Sequence, residues 1–360
     1  MIIEGKYTNI DVKASIIDDT TREQIQAIAD NEHYRGTNIV IMPDTHAGKD
    51  CVIGFTMRYN PKNPIINPNI VGVDIGCGVL VQPLYTKLVS DINFAILDAI
   101  IHDVVDTDKG YEIENNFIAD INTKDHTFDY YNRQIGTLGY GNHFIEVDED
   151  YDTTKYILIH TGSRHLGWRV CDYYAKRCVD GVLCGDDVFN YLHDMKLAQD
   201  YAKLNRQVLM DTILDAYDFK SNDAFICKKE DRFESVHNYI DLENNIIRKG
   251  AVSAQLGEKI IIPFNMRDGA VIGTGTGRAS WNYSAPHGAG RVLSRSQAKK
   301  NISLEQYQES MQGVYTTCIN EQTIDESAFA YKSADVVLSD ISDTINIENR
   351  IFPIYNFKNN

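Results

Sequence analysis

Two residues of types that bind metal ions lie three apart in the run V-G-V-D-I-G-C-G, residues 71–78, namely Asp74 and Cys77. The three glycines of this run permit a tight turn, which can aim a carboxylate and a thiolate at one point. A thiolate can bridge two metal ions, and a carboxylate suits harder divalent ions. The alternative interpretation is a buried cysteine in a strand and turn, because free cysteine often serves as a small apolar residue.

Three histidines lie in comparable settings. His143 follows the glycine loop of G-T-L-G-Y-G-N-H-F-I-E-V (136–147), and His160 closes the apolar run of I-L-I-H-T-G-S-R (157–164). His237 lies in S-V-H-N-Y (235–239). A histidine at the end of a strand is better placed to bind a ligand than one in the middle of a core. Structural roles remain the alternative for His143 and His237. The polar turn at 162–164 could bind phosphate through backbone N–H groups and the Arg164 guanidinium.

A further histidine, His287, lies in S-A-P-H-G-A-G-R-V-L-S-R (284–295), where proline and glycines leave the chain open to a large ligand. Arg291 and Arg295 are four residues apart, which predicts a shared helix face and a local cationic patch that Lys299 and Lys300 extend. A solvated basic helix face is the alternative. Asp44, in the predicted turn M-P-D-T-H-A-G-K (42–49), could orient a histidine by accepting its ring N–H.

Short apolar runs and breakers predict the elements that position these residues. Strands are predicted at 39–42, 51–57, 70–75, 155–160 and 259–272, and helices at 91–105, 186–217 and 333–347. The run G-T-G-T-G (273–277) lacks the spacing of a phosphate loop and is predicted to be mainly a turn. The mixture indicates an α/β or α+β fold with a sizeable sheet. Since no repeat or linker marks a boundary, residues 1–360 are predicted to form one domain, of which 1–40 carry no recognisable motif.

The bulk properties of the 360 residues limit the class of protein. Apolar residues make up 43% and charged residues 24% of the chain, as in ordinary globular proteins. No apolar run has the length of a membrane span, and the first residues do not resemble a secretory signal. The seven scattered cysteines form no C-x-x-C pair, which favours a reducing cytoplasm. The net charge of −16 is atypical of nucleic-acid binders, so an RNA partner would need a local basic groove or metal ions.

The motifs, in their order along the chain, resemble the RtcB family of GTP-dependent RNA ligases. The resemblance runs from about residue 40 to the C-terminus. It rests on M-P-D-T-H-A-G-K, V-G-V-D-I-G-C-G, G-T-L-G-Y-G-N-H-F-I-E-V, H-T-G-S-R, the H-N pair at 237–238, S-A-P-H-G-A-G-R, I-D-E-S-A-F-A-Y-K (324–332) and Y-N-F-K (355–358). The chain departs from the family at position 140, where Tyr140 stands in place of a frequent glycine. The segment 261–270 matches only one branch of the family.

The resemblance implies an enzyme that joins an RNA 3′-phosphate or 2′,3′-cyclic phosphate end to a 5′-hydroxyl end, in RNA repair or tRNA splicing. It implies GTP, two Mn²⁺ ions and an α/β domain with a central sheet system. Residue by residue, it implies His287 as the guanylylated nucleophile with Asp44 beside it, and Asp74, Cys77, His143, His160 and His237 as metal ligands, with Cys77 as the bridge. The implied nucleotide-binding residues are Asn142, His143, Phe144, Ile145, Glu146, Asn238, Pro263, Asn265, Met266, His287, Gly288, Ala289, Gly290 and Lys358.

Two other functions stay open on the sequence. The same ligands could activate water in a dinuclear metallohydrolase of phosphate esters, which would not need His287 as a nucleophile. Alternatively, the chain could be a non-catalytic RNA- or ribosome-associated module that keeps the fold. Neither the physiological RNA nor the oligomeric state follows from the residues.

Overall fold

The fold is described from a computed structural model, which covers residues 1–85, 92–105, 117–123, 128–221 and 225–359. Strands and helices alternate irregularly along the chain. The strands are β1 (Ile2–Glu4), β2 (Asn9–Val12), β3 (Asn38–His46), β4 (Ile53–Arg58), β5 (Gly78–Leu84), β6 (Phe144–Asp150), β7 (Lys155–Thr161), β8 (Phe233–Val236), β9 (Asn238–Asp241), β10 (Ile246–Lys249), β11 (Ala251–Ser253), β12 (Lys259–Asn265), β13 (Gly269–Gly275), β14 (Ser284–Pro286) and β15 (Ile345–Phe357).

The helices range from one turn to ten turns in length. They are α1 (Asp19–Ala29), α2 (Pro68–Val71), α3 (Phe94–Val105), α4 (Phe128–Asn132), α5 (Arg164–Ala175), α6 (Asp186–Ser221), α7 (Arg295–Asn301), α8 (Leu304–Ser310) and α9 (Ala334–Asp340). Short 3-10 helices cover Glu32–Tyr34, Phe117–Asp120, Lys229–Asp231, Ala279–Trp281, Ile324–Glu326 and Ala328–Ala330. Among the described residues, no helix combines the length and the apolar character needed to cross a membrane.

Two large sheets organise the described chain. The first has the strand order β12-β13-β15-β6-β7-β5-β8, and every neighbouring pair in it is antiparallel. Its two edge strands approach each other, because the Ile261 N–H of β12 donates to Ser235 Oγ of β8 at 3.0 Å. The sheet therefore curls towards a barrel. The second sheet has the order β1-β2-β3-β4-β10-β9, and β11 and β14 form a separate pair.

Helix α6 supports the curled sheet from one side. Its buried residues recur at helical spacing and include Met195, Ala198, Leu209 and Ile213, which join the two largest apolar clusters. Acidic residues in its first turn suit the positive end of the helix dipole. The mixed arrangement of helices and sheets confirms the predicted α/β class, whereas the single-domain division of 1–360 stays a prediction.

Most of the predicted elements are present with shifted ends. The strands at 39–42, 51–57 and 155–160 correspond to β3, β4 and β7, and 259–272 is a hairpin of β12 and β13 that extends to Gly275. The predicted turn at 273–277 therefore begins as the end of a strand. The helix at 186–217 is α6, and the helix at 91–105 is α3, with residue 91 outside the described residues.

Two predicted elements are wrong. The strand at 70–75 is instead the end of α2 followed by a turn, because Asn67 caps the helix N-terminus through Asn69 N and Pro68 occupies its first turn. The helix at 333–347 ends at Asp340, and β15 begins at Ile345. The residues from Ile345 onward form a strand because they pair with β13 on one side and with β6 on the other. These long-range pairings override the local helical pattern.

Candidate metal centre and active site

Adjacent strands of the curled sheet bring the candidate metal ligands to one place. Cys77 directly precedes β5, His143 precedes β6, His160 lies in β7, and His237 lies between β8 and β9. In the observed register, Gly78 pairs with both Thr161 and Val236, and Phe144 pairs with His160. The order β6-β7-β5-β8 therefore aligns the four segments at one end of the sheet.

The turn before β5 needs glycine at position 76. Gly76 has φ +70°, and a Cβ there would lie 2.9 Å from the Gln199 Cα of α6. The turn is further held by buried Arg206, whose Nη1 donates to Gly76 O and Thr161 O, both at 2.8 Å. Glu234 balances this buried guanidinium at 2.9 Å. Arg206 was not identified from the sequence, since it lies within an amphipathic helix far from any motif.

The ligand atoms form two triplets that share one thiol. Cys77 Sγ lies 3.2 Å from His160 Nε2 and 3.5 Å from His143 Nε2. His143 Nε2 is 2.9 Å from Asp74 Oδ2, and His160 Nε2 is 3.4 Å from His237 Nε2. Within each triplet, Cys77–His160–His237 and Asp74–Cys77–His143, all ligand atoms lie within 4.8 Å of one another. Nitrogen, sulfur and oxygen donors of this kind fit a divalent metal ion, which either triplet could hold.

Hydrogen bonds aim two of the imidazoles at the thiol. The Nδ1 atoms of His143 and His160 lie 2.9 Å from Leu138 O and 3.2 Å from Asn142 O. A carbonyl oxygen can only accept, so these bonds place a proton on Nδ1, and the neutral His160 ring therefore keeps its lone pair on Nε2. Backbone partners of this kind fix the tautomer and the ring plane of metal-binding histidines.

Burial sets the charge of the cluster in the metal-free protein. It lowers the pKa of His160 and His237 well below the usual range, so both imidazoles are neutral. Burial also raises the pKa of the Cys77 thiol, and the nearby Asp74 carboxylate adds to this effect. For Asp74, burial acts to raise the pKa, but the hydrogen bond and charge of His143 outweigh it and the pKa is lowered. A metal ion would therefore have to displace the Cys77 proton.

His287 lies next to this cluster and is held by a buried carboxylate. Its Nδ1 is 2.7 Å from Asp44 Oδ2, and its backbone N–H donates to the same oxygen at 3.2 Å. The His287 ring centroid is 4.8 Å from that of His237. Asp44 and His46 lie in strand β3 and not in the predicted turn. The extended strand aims the Asp44 side chain at His287, and Gly290 has no Cβ that would collide with Asp44 O.

Lys332 connects the strand that carries Asp44 to the loop that carries His287. Its Nζ donates to Pro43 O at 2.9 Å and to Thr45 O at 3.1 Å, on both sides of Asp44. Its backbone N–H donates to Gly290 O at 2.9 Å. The lysine therefore positions both partners of the Asp44–His287 pair. It lies in the segment 324–332, whose motif carried no signal of this contact.

A cavity of about 1060 Å³ extends from the cluster. Asp74, Cys77, His160, His237 and His287 line it. Most of the implied nucleotide residues also line it, namely Asn142, Phe144, Glu146, Asn238, Pro263, Asn265, Met266, Gly288, Ala289, Gly290 and Lys358. Two of the implied residues do not line the cavity. His143 is buried behind Asp74, and the Ile145 side chain lies on the opposite face of β6, where it packs in the core. Asp18, Asp19 and Thr20 contribute to the wall, although no motif was recognised in 1–40.

One end of the cavity is lined by buried charges. Glu146 Oε1 accepts from Asn356 Nδ2 at 2.7 Å, and Lys358 Nζ is 3.1 Å from Glu326 Oε2. Burial raises the pKa of Glu146 to about 7. For Glu326, burial acts in the same direction, but Lys358 and Arg295 lower its pKa to about 2. Asn356 and Glu326 were not identified from the sequence because only the tertiary fold brings β15 and the 324–326 turn to this end.

The family profile for the tRNA-splicing ligase RtcB matches residues 24–108 and 102–359. The chain belongs to the RtcB family. It is 29% identical to the RNA-splicing ligase RtcB of Escherichia coli (strain K12), over 86% of this chain and 87% of that protein. It is 28% identical to the tRNA-splicing ligase RtcB of Aeropyrum pernix, over 83% and 82% of the two chains. For the tRNA-splicing ligase RtcB of Nanoarchaeum equitans, the identity is 27% over 84% and 83%. The resemblance seen in the motifs is thereby confirmed.

In this RtcB-family chain the cationic patch differs from the sequence expectation. Arg291 precedes α7, whereas Arg295 is its first residue, so they share no helix face. Instead both guanidinium groups reach Glu326, at 3.5 Å from Arg291 Nη1 and 2.6 Å from Arg295 Nη1. Asp325 accepts from Arg295 at 2.5 Å and lies 3.4 Å from Lys299 Nζ. Two buried carboxylates therefore offset much of the positive charge that the sequence predicted here.

Cobalt binding provides a test of the shared thiol. We expect Co²⁺ to give a thiolate-to-metal absorption band in the near ultraviolet, with release of the Cys77 proton. The Cys77→Ser variant should lose this band and bind both ions at least about tenfold more weakly, since it removes the thiolate from two triplets. Cys184→Ser, which changes an exposed cysteine, is the matched control. A band that persists in Cys77→Ser would contradict the assignment.

Proposed function

We propose that this chain is an RNA ligase that joins an RNA 3′-phosphate or 2′,3′-cyclic phosphate end to a 5′-hydroxyl end in RNA repair or tRNA splicing, with GTP and Mn²⁺. The observation that carries the proposal is the position of His287, which is oriented by buried Asp44 and adjoins a metal-ligand cluster. The relatives named RNA-splicing and tRNA-splicing ligases support the RNA substrate. We treat residues 1–360 as one catalytic unit.

The first step uses the free nitrogen of His287. Because Asp44 accepts a hydrogen bond from the Nδ1–H group of His287, the lone pair lies on Nε2, which can attack the α-phosphorus of GTP. A nitrogen–phosphorus bond forms, the bond to the β-phosphate breaks, and pyrophosphate leaves. Asp44 then stabilises the positive charge that the ring gains on modification. Bound Mn²⁺ ions, held by the two triplets that share Cys77, would supply charge neutralisation for the phosphates.

The later steps transfer GMP and then release it. An oxygen of the RNA 3′-phosphate attacks the phosphorus on His287, which breaks the nitrogen–phosphorus bond and forms a diphosphate link between RNA and GMP. A cyclic phosphate end must first be opened by water. The RNA 5′-hydroxyl then attacks the RNA-side phosphorus, loses its proton and displaces GMP. Each step is an exchange at phosphorus, for which positioning and charge neutralisation are the main requirements.

The charged end of the cavity suits a guanine base. The carboxylate of Glu146 can accept hydrogen bonds from the N–H edge of guanine, whereas adenine would leave it unpaired. Lys358 Nζ forms an ion pair with Glu326 and lies 3.4 Å from Asn142 O. It offers a hydrogen-bond donor for the carbonyl oxygen of guanine. The Phe144 ring centroid lies 5.5 Å from Lys358 Nζ and adds an aromatic face.

The two alternative functions explain less of this arrangement. A hydrolase of phosphate esters has no need for a histidine that is fixed through both Nδ1 and its backbone N–H. A non-catalytic module has no need for five metal-ligand side chains that converge within a buried cluster. The cytoplasmic location stays a prediction, supported by seven cysteines that are all free thiols.

The joining reaction itself tests the proposal. Purified chain with Mn²⁺ and GTP should join an RNA that ends in a 3′-phosphate or cyclic phosphate to a 5′-hydroxyl RNA, measured as a longer product on a denaturing gel. His287→Ala should abolish the product, and Asp44→Asn should slow it by roughly 10²- to 10⁴-fold because the ring loses its tautomer. Phe219→Ala, an exposed change at the end of α6, should behave as wild type. Phosphate release in place of joining, retained in His287→Ala, would support the hydrolase instead.

The pH dependence of GTP binding tests the role of Glu146. Burial raises its pKa to about 7, so below that pH the side chain is protonated and loses an acceptor. Asp148, two residues along the strand, has a pKa raised well above its usual range by burial and by the nearby charge of Glu146. We expect GTP affinity, measured in a His287→Ala background, to rise as the pH increases from about 6 to 8, by up to tenfold per unit below the pKa.

The control for this measurement is the variant Glu146→Gln, which keeps the shape but not the titration. It should bind GTP more weakly at about pH 8 and show a flat profile across the same range, because it has no proton to lose there. If GTP affinity depended on pH equally with Glu146 and with Glu146→Gln, Glu146 would not be the group that contacts the base.

A further inference from the structure

Helix α5 begins at the candidate metal centre and carries an exposed face outside the cavity. A Cβ at Gly162 would overlap the Asp74 carboxylate, and a Cβ at Gly167 would lie 2.9 Å from Val73 O. The Arg164 guanidinium, in the first turn of α5, lies 3.3 Å from His143 Nδ1. The N-terminal half of this helix is therefore packed directly on the turn that holds Asp74.

A stack of aromatic rings ends at the exposed face of α5. Trp168 is 44% exposed and lies over His165 with ring centroids 5.2 Å apart and planes at 29°. His165 in turn stacks on buried Tyr131 at 6.4 Å and 27°. The stack is thus anchored in the core, and its outermost ring faces solvent. Such a ring is a platform on which a nucleobase can continue the stack.

The same face is positively charged in a strongly acidic protein. Residues 168–177 hold three basic residues and one acidic residue, Asp172, whereas the chain carries a net charge of −16. The Asp172 carboxylate lies 2.7 Å from Lys176 Nζ and 3.7 Å from Arg169 Nη1, so it offsets one of these three positive charges. The Arg177 guanidinium lies 3.5 Å over the Tyr173 ring, which holds the cation at the surface of the helix. Interleaved cations and aromatic rings are typical of surfaces that bind single-stranded nucleic acid.

We infer that a surface formed by Trp168, Arg169 and Tyr173 of α5, with Lys176 and Arg177 directly after it, binds the single-stranded RNA segment next to the end that reacts at the metal centre. The inference rests on the proposed function and adds a surface to it. The helix is about 18 Å long at about 1.5 Å per residue, so it would hold a few nucleotides outside the cavity. Continuity with the Asp74 turn and charge complementarity favour RNA as the occupant.

RNAs of two lengths distinguish binding at this surface from binding at the metal centre. We would measure, by fluorescence anisotropy, the binding of an RNA of about 20 nucleotides and of a dinucleotide with the same 3′-phosphate end. Trp168→Ala should weaken binding of the long RNA by about tenfold and leave the dinucleotide unchanged, and Trp168→Tyr should restore binding. The double variant Arg169→Ala/Lys176→Ala should show a weaker salt dependence of binding. The slope of the logarithm of the binding constant against the logarithm of the salt concentration should fall by about one for each phosphate that is no longer neutralised.

The controls are exposed residues of matched type elsewhere on the chain. Phe189→Ala, 66% exposed, and Lys196→Ala should bind both RNAs as wild type does. Formation of the His287 adduct is recorded separately for each variant, so a chain that binds RNA through α5 but makes no adduct would overturn the proposed function alone. Unchanged long-RNA binding in Trp168→Ala would overturn the inference and assign the face to another partner. An equal loss for both RNAs would also overturn it, since the change would then act at the metal centre.

Discussion

The Cys77 thiol lies within 3.5 Å of two histidine nitrogens that belong to different ligand triplets, and this crowding is the constraint on which the site depends. A single sulfur can serve two triplets only if several strands end in the same place. The sheet order β6-β7-β5-β8 provides that alignment, and buried Arg206 ties the Asp74–Cys77 turn to the end of β7. Burial keeps the His160 and His237 imidazoles neutral and raises the pKa of the Cys77 thiol beside them, which limits the charge that the cluster buries.

A second set of buried charged groups holds the His287 side chain. Asp44 fixes His287, and Lys332 fixes the two chain segments that carry them. Further along the cavity, Glu326 forms ion pairs with Arg291, Arg295 and Lys358. These ion pairs hold the three cations in fixed positions. Because Asp325 and Glu326 offset much of this positive charge, a chain of net charge −16 would depend on bound metal ions to attract anionic substrates to the cavity.

The sequence indicated which side chains lie together at the cavity better than it predicted some of the elements around them. Asp74, Cys77 and His287 each lie in short glycine-rich motifs whose local chemistry is visible, and the structure brings them together. The strand predicted at 70–75 was wrong because Pro68 and Asn67 start a helix there, and the end of the helix predicted at 333–347 was wrong because β15 pairs on both edges. Arg206 lies outside every motif, and Lys332 and Asn356 lie in motifs whose spacing did not indicate their contacts, because all three reach the site only through long-range packing.

The central claim is that His287 is a nucleophile made reactive by Asp44 and placed at the metal-ligand cluster. The most direct test is the intact mass of the full chain after incubation with GTP and Mn²⁺, compared with His287→Ala. We predict a mass increase of one GMP that is labile in acid, stable in base and absent from the variant. An unmodified chain with manganese bound, or an adduct that persists in His287→Ala, would contradict the claim.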